Sequence, residues 1–374
     1  MSNSLTPGVY RQEIFPQGAS ELPTGVPAVL GFAGRGPAGE PVSLSLWPQY
    51  VEKFGNEEEH SYLAYAVRGF FENGGRQCYV VRMDAQADLN TALNAALSAL
   101  APVEAVDLIC APDVAAYPDQ ALALNLQKRI LEDCDRAITR LALLDALPNA
   151  GLSGILAQRQ ALPGRNGALY YPWIRVPGGP SATGGFIPPC GHVAGVIARC
   201  DAAAGVHKAP ANEILIGVLD LQEDLTGTQT DQLHPAGINC LRALPGRGIR
   251  VWGARTLSDD PAQASLNVRR LFITLGRWIE RNLAEAIFEP NGPLLWGRIE
   301  RELGAYLDEW FRRGALKGSS PEQAFYVRCN GQTNPPHERE AGKVRTEVGL
   351  APALPAEFII VHIVHGAKGV QIVA

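Results

Sequence analysis

Val106-Asp-Leu-Ile-Cys110, an amphipathic segment over residues 120–137, and then Leu141-Ala-Leu-Leu-Asp-Ala-Leu147 form the stretch that decides the fold. Both short runs are apolar on both faces, as strands are when they are covered from two sides. The segment between them has helical periodicity and enough length to cross over. Strand, helix and strand in that order make a βαβ unit with parallel strands. The pattern spreads outward. Upstream, residues 29–33 read as a buried strand, 47–54 as a short helix and 61–73 as a helix stopped by Gly74-Gly75. The strand Cys78-Tyr-Val-Val-Arg82 follows, and Leu89, Leu93, Ala96, Leu97 and Leu100 have helical spacing. Downstream come a helix over 153–161, an aromatic strand over 169–176, a glycine- and proline-rich loop over 177–191, a helix over 192–204 and a strand over 214–219. The expected fold is α/β, a mixed, largely parallel sheet flanked by helices.

Residues 238–244 and 249–257 flank Pro245-Gly246-Arg247-Gly248 and read as a β-hairpin with a four-residue turn. In its second run Ile249, Val251 and Gly253 alternate with Arg250, Trp252 and Ala254, so one face is small and apolar and the other sets a guanidinium beside an indole. Two long helices follow, over 266–287 and 293–313, then strand candidates at 324–329, 344–348 and 357–364. At the front, prolines and glycines recur every few residues through position 27. They forbid a helix, while Val9, Tyr10, Ile14 and Phe15 suit an extended arm that pairs with something. The organisation expected is an arm over 1–27, an α/β part over 28–190, a second part over 191–352 and a terminal arm strand over 353–374.

Composition narrows the functional classes. The chain has 374 residues, 46% hydrophobic and 19% charged, as folded domains have, and its 39 glycines and 28 prolines call for many turns. Net charge is -5, and no Lys/Arg block tracks phosphates, which argues against nucleic acid as a partner. Apolar runs are broken well short of the ~18 residues a membrane helix needs, so no membrane insertion is expected. Seven cysteines without a C-x-x-C pair read as buried thiols of a protein made in a reducing cytosol, and no signal peptide is apparent. Of the 33 basic residues 27 are arginine, the cation favoured at protein interfaces, although base composition of the genome also biases Arg usage.

Catalytic motifs are missing. No P-loop, nucleophile elbow or H-E-x-x-H occurs, and the one G-x-G-x-x-G, Gly34 to Gly39, runs into Glu40-Pro41-Val42 where a phosphate-binding helix should begin. No cofactor is expected on that ground. His362 and His365, three apart on a strand, face opposite ways, and no metal site is expected. Asp113 reads as a helix-capping acid more than as a catalytic one. The nearest candidate for a nucleophile is Ser153, which would be required by a subtilisin-like hydrolase, the alternative from another functional class.

An ordered set of segments resembles the contractile-tail sheath proteins of phages and related injection systems. It runs nearly end to end: Thr6-Pro-Gly-Val-Tyr10, Gly31-Phe-Ala-Gly-Arg-Gly-Pro37, Leu63 to Arg76 with Cys78 to Arg82, Tyr170-Tyr-Pro-Trp-Ile174, Lys208-Ala-Pro-Ala-Asn212, Pro235 to Asn239, Pro245 to Thr256, Asn267-Val-Arg-Arg-Leu271, Phe288-Glu-Pro-Asn291, Gly314-Ala-Leu316 and Pro355-Ala-Glu-Phe358. The resemblance implies a subtilisin-like core without protease residues, no enzyme activity and no cofactor. It implies many copies stacked helically around an inner tube, with baseplate and terminator or cap proteins at the ends, in a particle whose parts are made in the bacterial cytoplasm. It also implies inter-subunit strand exchange through Val9, Tyr10, Ile14 and Phe15 at one end and Phe358, Ile359, Ile360 and Val361 at the other. The second long helix, with Arg301, Arg312, Arg313 and Lys317, is the expected inner-tube contact. Arg247, Arg250, Trp252 and Arg255 are expected to stiffen the core hairpin, either bridging subunits or bracing one. Two departures, His207 where the family usually has Trp and a long run after His365, leave room for a paralogue at the baseplate or cap end.

Overall fold

The computed structural model describes residues 22–58, 60–353, 359–366 and 369–373. The chain order through its first part is β1 (Pro27–Gly31), β2 (Pro41–Leu44), α1 (Trp47–Phe54), α2 (Leu63–Glu72), β3 (Cys78–Arg82), α3 (Leu89–Ala99), β4 (Leu108–Cys110), α4 (Pro112–Ala115), α5 (Gln120–Ala137), β5 (Leu141–Asp145), α6 (Gly151–Ala161) and β6 (Gly167–Tyr171). Next come β7 (Ile174–Arg175), β8 (Phe186–Ile187), α7 (Cys190–Ala204), β9 (Glu213–Ile214), β10 (Asp220–Leu221), α8 (Gly227–Leu233), β11 (Ile238–Leu244) and β12 (Gly248–Trp252). Nine strands form one sheet in the order β2-β3-β1-β4-β5-β6-β11-β12-β9, while β10, β7 and β8 form a small one. The six strands β3, β1, β4, β5, β6 and β11 run parallel, and β2, β12 and β9 are antiparallel additions at the two edges.

Side chains on each strand alternate between two separate cores. Val29, Val80, Leu108, Leu143 and Leu241 pack under α1, α2 and α7, whereas Leu30, Val81, Ile109, Leu144 and Ile238 pack under α3, α5 and α6. Burial on both faces is why these strands read as continuous apolar runs. The expected α/β class therefore holds, as a three-layer arrangement.

The hairpin differs from the sequence reading in two ways. Leu244 pairs with Gly248, so the loop is three residues, and the Arg247 N–H donates to the Leu244 carbonyl at 2.9 Å. With Pro245 next and Gly246 at φ 71°, this is a type II turn. The second strand stops at Trp252 rather than 257, because the Asn239 side chain takes over the ladder: it accepts from the Arg255 N–H at 2.7 Å and donates to the Arg255 carbonyl at 2.8 Å. Of the strand expected at 214–219 only Ile214 is in a strand, as the last residue of β9, and the one expected at 169–176 divides into β6 and β7 around the cis Tyr171–Pro172 bond.

The chain then runs through α9 (Leu266–Asn282), α10 (Pro293–Arg312), α11 (Pro321–Ala324), β13 (Phe325–Arg328), α12 (Pro336–Glu340), β14 (Val344–Leu350), β15 (Ile359–Gly366) and β16 (Gly369–Val373). The first long helix ends earlier than expected, with a 3-10 turn at Ala284–Ala286. Helix α10 buries Leu295, Trp296, Ile299, Leu303, Leu307 and Trp310, a three-and-four spacing that makes one stripe. That stripe meets Leu275 and Ile279 of α9 and Val348 and Leu350 of β14 in a third core. Because Leu266 and Ile273 of α9 belong to the first core, α9 is the element shared between the two parts.

Candidate assembly surfaces

The buried ionisable groups of the α/β part serve as caps. Asp113 accepts from the N–H groups of Phe32 at 2.6 Å and Tyr62 at 2.5 Å and from the Ser61 hydroxyl at 3.1 Å, which closes the start of α2. Burial pushes its pKa up to about 6 against the pull of those donors. Asp145, at the end of β5, accepts from the Cys190 N–H at 2.8 Å and so caps α7, and burial pushes it up to about 7. His192 is buried against Gly69, and its pKa falls to about 4 through burial and the nearby Arg68 charge. Ser153 is exposed on α6, which packs on the opposite side of the sheet from α7, so Ser153 and His192 are not brought together. After Gly34–Gly39 the chain enters strand β2, not a helix. All seven cysteines are free and buried, and burial pushes Cys200 up to about 11 and Cys240 up to about 12, the inert condition of a thiol. Among the described residues no three His, Cys, Asp or Glu side chains gather as a metal would need, and no helix is long and apolar enough to cross a membrane.

Of the hairpin residues, Arg250 is held within its own chain. Its Nε donates to the Arg247 carbonyl at 3.0 Å and its Nη1 to the Asn212 carbonyl at 2.6 Å. Trp252 packs partly buried against the second core. The Arg255 backbone is held by Asn239, whereas Arg247 is exposed at the turn.

On α10, Arg312 pairs with Asp308 at 2.5 Å and Arg313 with Glu309 at 2.6 Å, both one turn back. Arg301 is exposed on the same helix, and Lys317 is exposed just beyond it, its N–H bound to the Ala351 carbonyl at 2.7 Å. At the other end of α10, Phe288 is 98% exposed at φ 75°, a backbone region bulky residues avoid, and Leu294 is 93% exposed. Sequence reading quoted Phe288 only as part of a motif. Its exposure was not legible there.

Val9, Tyr10, Ile14, Phe15 and Phe358 lie outside the described residues. Ile359, Ile360 and Val361 lie on β15, which the sequence left without a local partner. In the structure β15 is paired on both sides within its own chain: Val361 with Val348 of β14, and His362 with Val373 of β16.

A buried charge cluster that sequence reading missed anchors the start of β1. Asp107 accepts from the Gly25 N–H at 2.9 Å and the Val26 N–H at 2.7 Å. From α9, Arg270 reaches Asp107 at 3.1 Å and Asp201 of α7 at 2.6 Å, all three side chains being 3% exposed. Burial alone would lower the Arg270 pKa, but the two carboxylates hold it raised. Two turns on, Arg277 donates to the carbonyls of Pro23, Glu104 and Ala105, each at 3.0 Å. Just ahead of Arg270, Arg269 donates to Asn166 before β6. The available signal was the seven-residue spacing of Arg270 and Arg277 on the apolar side of α9.

Known proteins share this architecture. The model of the phage tail sheath protein central domain matches residues 86–257, and that of the phage tail sheath C-terminal domain matches residues 258–365. The tail sheath protein of Vibrio phage KVP40 is 26% identical over 183 residues, 48% of this chain and 26% of that protein, so the match spans about a quarter of that relative's length. A chain in the cryo-EM structure of the anti-feeding prophage (AFP) baseplate superposes with a TM-score of 0.77 at 31% identity, covering 95% of this chain and 98% of that one. A chain of the AFP helical sheath in the contracted state does so with a TM-score of 0.76 at 31% identity, with the same two coverages. With two sheath domain models covering most of the chain and solved sheath chains matching it almost end to end, this protein belongs to the phage tail sheath family.

Proposed function

We propose that the protein is the structural subunit of a contractile sheath, polymerising helically around an inner tube and shortening to drive that tube through a target envelope. The observation that carries this is the likeness, over 95% of the chain, to a subunit of a helical sheath in its contracted state. The subunit is made in the bacterial cytoplasm, acts without enzyme activity or cofactor, and meets baseplate and terminator or cap proteins at the ends of the sleeve. The division into an arm (1–27), an α/β part (28–190), a second part (191–352) and a terminal arm strand (353–374) assigns assembly to the ends. Strand addition between subunits uses Val9, Tyr10, Ile14 and Phe15 together with residues 358–361. Pairing of β15 within one chain supports exchange as a swap, since a neighbour's strand can satisfy the same backbone groups. Arg301 and Arg312 of α10, with Arg313 and Lys317 just after it, face acidic groups of the tube.

A second reading, a paralogue seated at the baseplate, draws on the equal likeness to the AFP baseplate chain. Negative-stain microscopy of the full-length protein separates the two: long sleeves support the main reading, and single rings support the paralogue. In the same assay, deletion of residues 1–16 is expected to give soluble monomer. Normal sleeves from the truncated protein would sink the arm mechanism. Combined reversal of Arg312→Glu and Arg313→Glu is expected to leave sleeves intact and empty of tube, and tube-filled sleeves would refute the tube contact.

A further inference from the structure

The hairpin end of the central sheet concentrates positive charge without a counter-charge. The β11–β12 register sets Arg242 directly opposite Arg250, and the β12–β9 register sets Arg250 opposite Ile214, so all three share one face. Like charges facing each other across a strand pair are destabilising. The nearest carboxylate on β9, Glu213, stands opposite Val251 and so points to the other face, where Lys208 and Arg199 hold it. Arg250 spends its hydrogen bonds on two carbonyl oxygens, and neither Arg242 nor Arg247 has an ion pair among the described residues. Beside these guanidinium groups Ile214 is 41% exposed on the outermost strand of the sheet. The face therefore offers forked cationic donors next to a small apolar contact.

We infer that this face receives carboxylates from a second copy of the same chain. The choice of occupant rests on charge. The chain carries 38 acidic against 33 basic residues, so gathering uncompensated arginines at one end leaves the remaining surface more negative than the net -5. Taken without its own hairpin, a second copy thus carries a net excess of carboxylates, which favours a head-to-tail contact. Such a contact is heterologous, so it extends from copy to copy, as a ring where its rotation closes and as a helix where it does not. Arginine forks bind carboxylates in a two-pronged geometry and steer the approach at low salt. The inference rests on the sheath reading and adds to it a directional contact separate from the arms.

The test compares the full-length protein with Arg242→Glu/Arg247→Glu and the neutral Arg242→Gln/Arg247→Gln. Thermal melting checks the fold, and sedimentation with negative-stain microscopy gives the protein concentration at which polymers form, at low and at raised sodium chloride. The expected result is a rise of about tenfold or more for the Glu variant and a smaller one for the Gln variant, in keeping with the loss of close charge pairs at an interface. Added salt should raise the threshold for the unsubstituted protein and leave the Glu variant nearly unchanged. A Glu or Gln pair that polymerises at the unsubstituted threshold, or a salt response identical in all three proteins, overturns the inference while leaving the sheath reading standing. Loss of binding to double-stranded DNA in the variants with polymerisation unaltered also overturns it, in favour of a polyanion. An unsubstituted protein that forms no polymer at any concentration overturns the sheath reading and this inference with it.

Discussion

Arg270→Met is expected to lower the free energy of unfolding by about 3–5 kcal/mol, since removing one member of a buried ion pair strands its partners' charges away from water. Two carboxylates would be stranded. Asp201 would lose its charged partner, and Asp107 would keep only the Gly25 and Val26 N–H donors and the distant Arg277, 3.9 Å away. Methionine fills much of the volume, so the loss reads out charge rather than a cavity. Urea unfolding of the full-length protein, followed by circular dichroism, measures the effect. As a comparison, truncation of Arg312, whose pair with Asp308 is solvent-exposed, should cost under ~0.5 kcal/mol. A loss at Arg270 as small as that at Arg312 would mean that the buried cluster does not hold α9 to the α/β part.

Gly191→Leu is expected to prevent accumulation of soluble folded protein, an effect at the top of the range for overpacking, about 3 kcal/mol or more. The cause is close approach of two helices. A Cβ at position 191 would lie 2.2 Å from the Ala66 carbonyl oxygen and 2.4 Å from its Cα, so the α2 and α7 backbones meet with no room for a side chain. The obstacle is backbone, which cannot swing aside as a flexible side chain does. Gly195, one turn on, meets the Phe70 carbonyl oxygen at 2.5 Å in the same way. Gly191→Ala should fold with a lowered melting temperature, measurable by differential scanning fluorimetry. Gly297→Leu, exposed within α10 where nothing lies within 4 Å of an added Cβ, should not lower it and, through better helix propensity, should raise it slightly. Equal melting temperatures for Gly191→Ala and the unsubstituted chain would refute the close-packing argument.

Local chemistry explains what the amino-acid sequence made legible. Helices α1 and α5 and strand β3 begin and end where apolar periodicity puts them. Asp119 accepts from the N–H groups of Ala121 and Leu122, a cap built from neighbours in sequence. What escaped depends on partners far along the chain. Strand β12 stops early because of Asn239, on the preceding strand, and no periodicity registers a side chain that replaces a ladder bond. The clamp joins Asp107, Asp201 and Arg270, positions up to 163 apart, through side chains whose type alone suggested surface exposure. Strand β16 had a local signal in the sequence, two glycines three apart between apolar runs, and the register closes on Gly366 and Gly369. Arg247, Arg250 and Arg255 were found from sequence as a group, but the bracing role of Arg250 and the uncompensated Arg242, which was not singled out there, emerge only from the register and the hydrogen bonds.

The anchoring of Gly25 and Val26 on Asp107 also fixes how the subunit bears load. A pull on the chain ahead of Pro23 enters at the first residue of β1, which lies inside the sheet between β3 and β4 and parallel to both. Tension along a strand so placed acts in shear, distributed across both hydrogen-bond ladders at once instead of opening them one bond after another. The arginines of α9 tie the same entry point to the helix that carries the third core. Force on one end of the molecule is thereby passed to its far part through a stiff path, with no slack linker between.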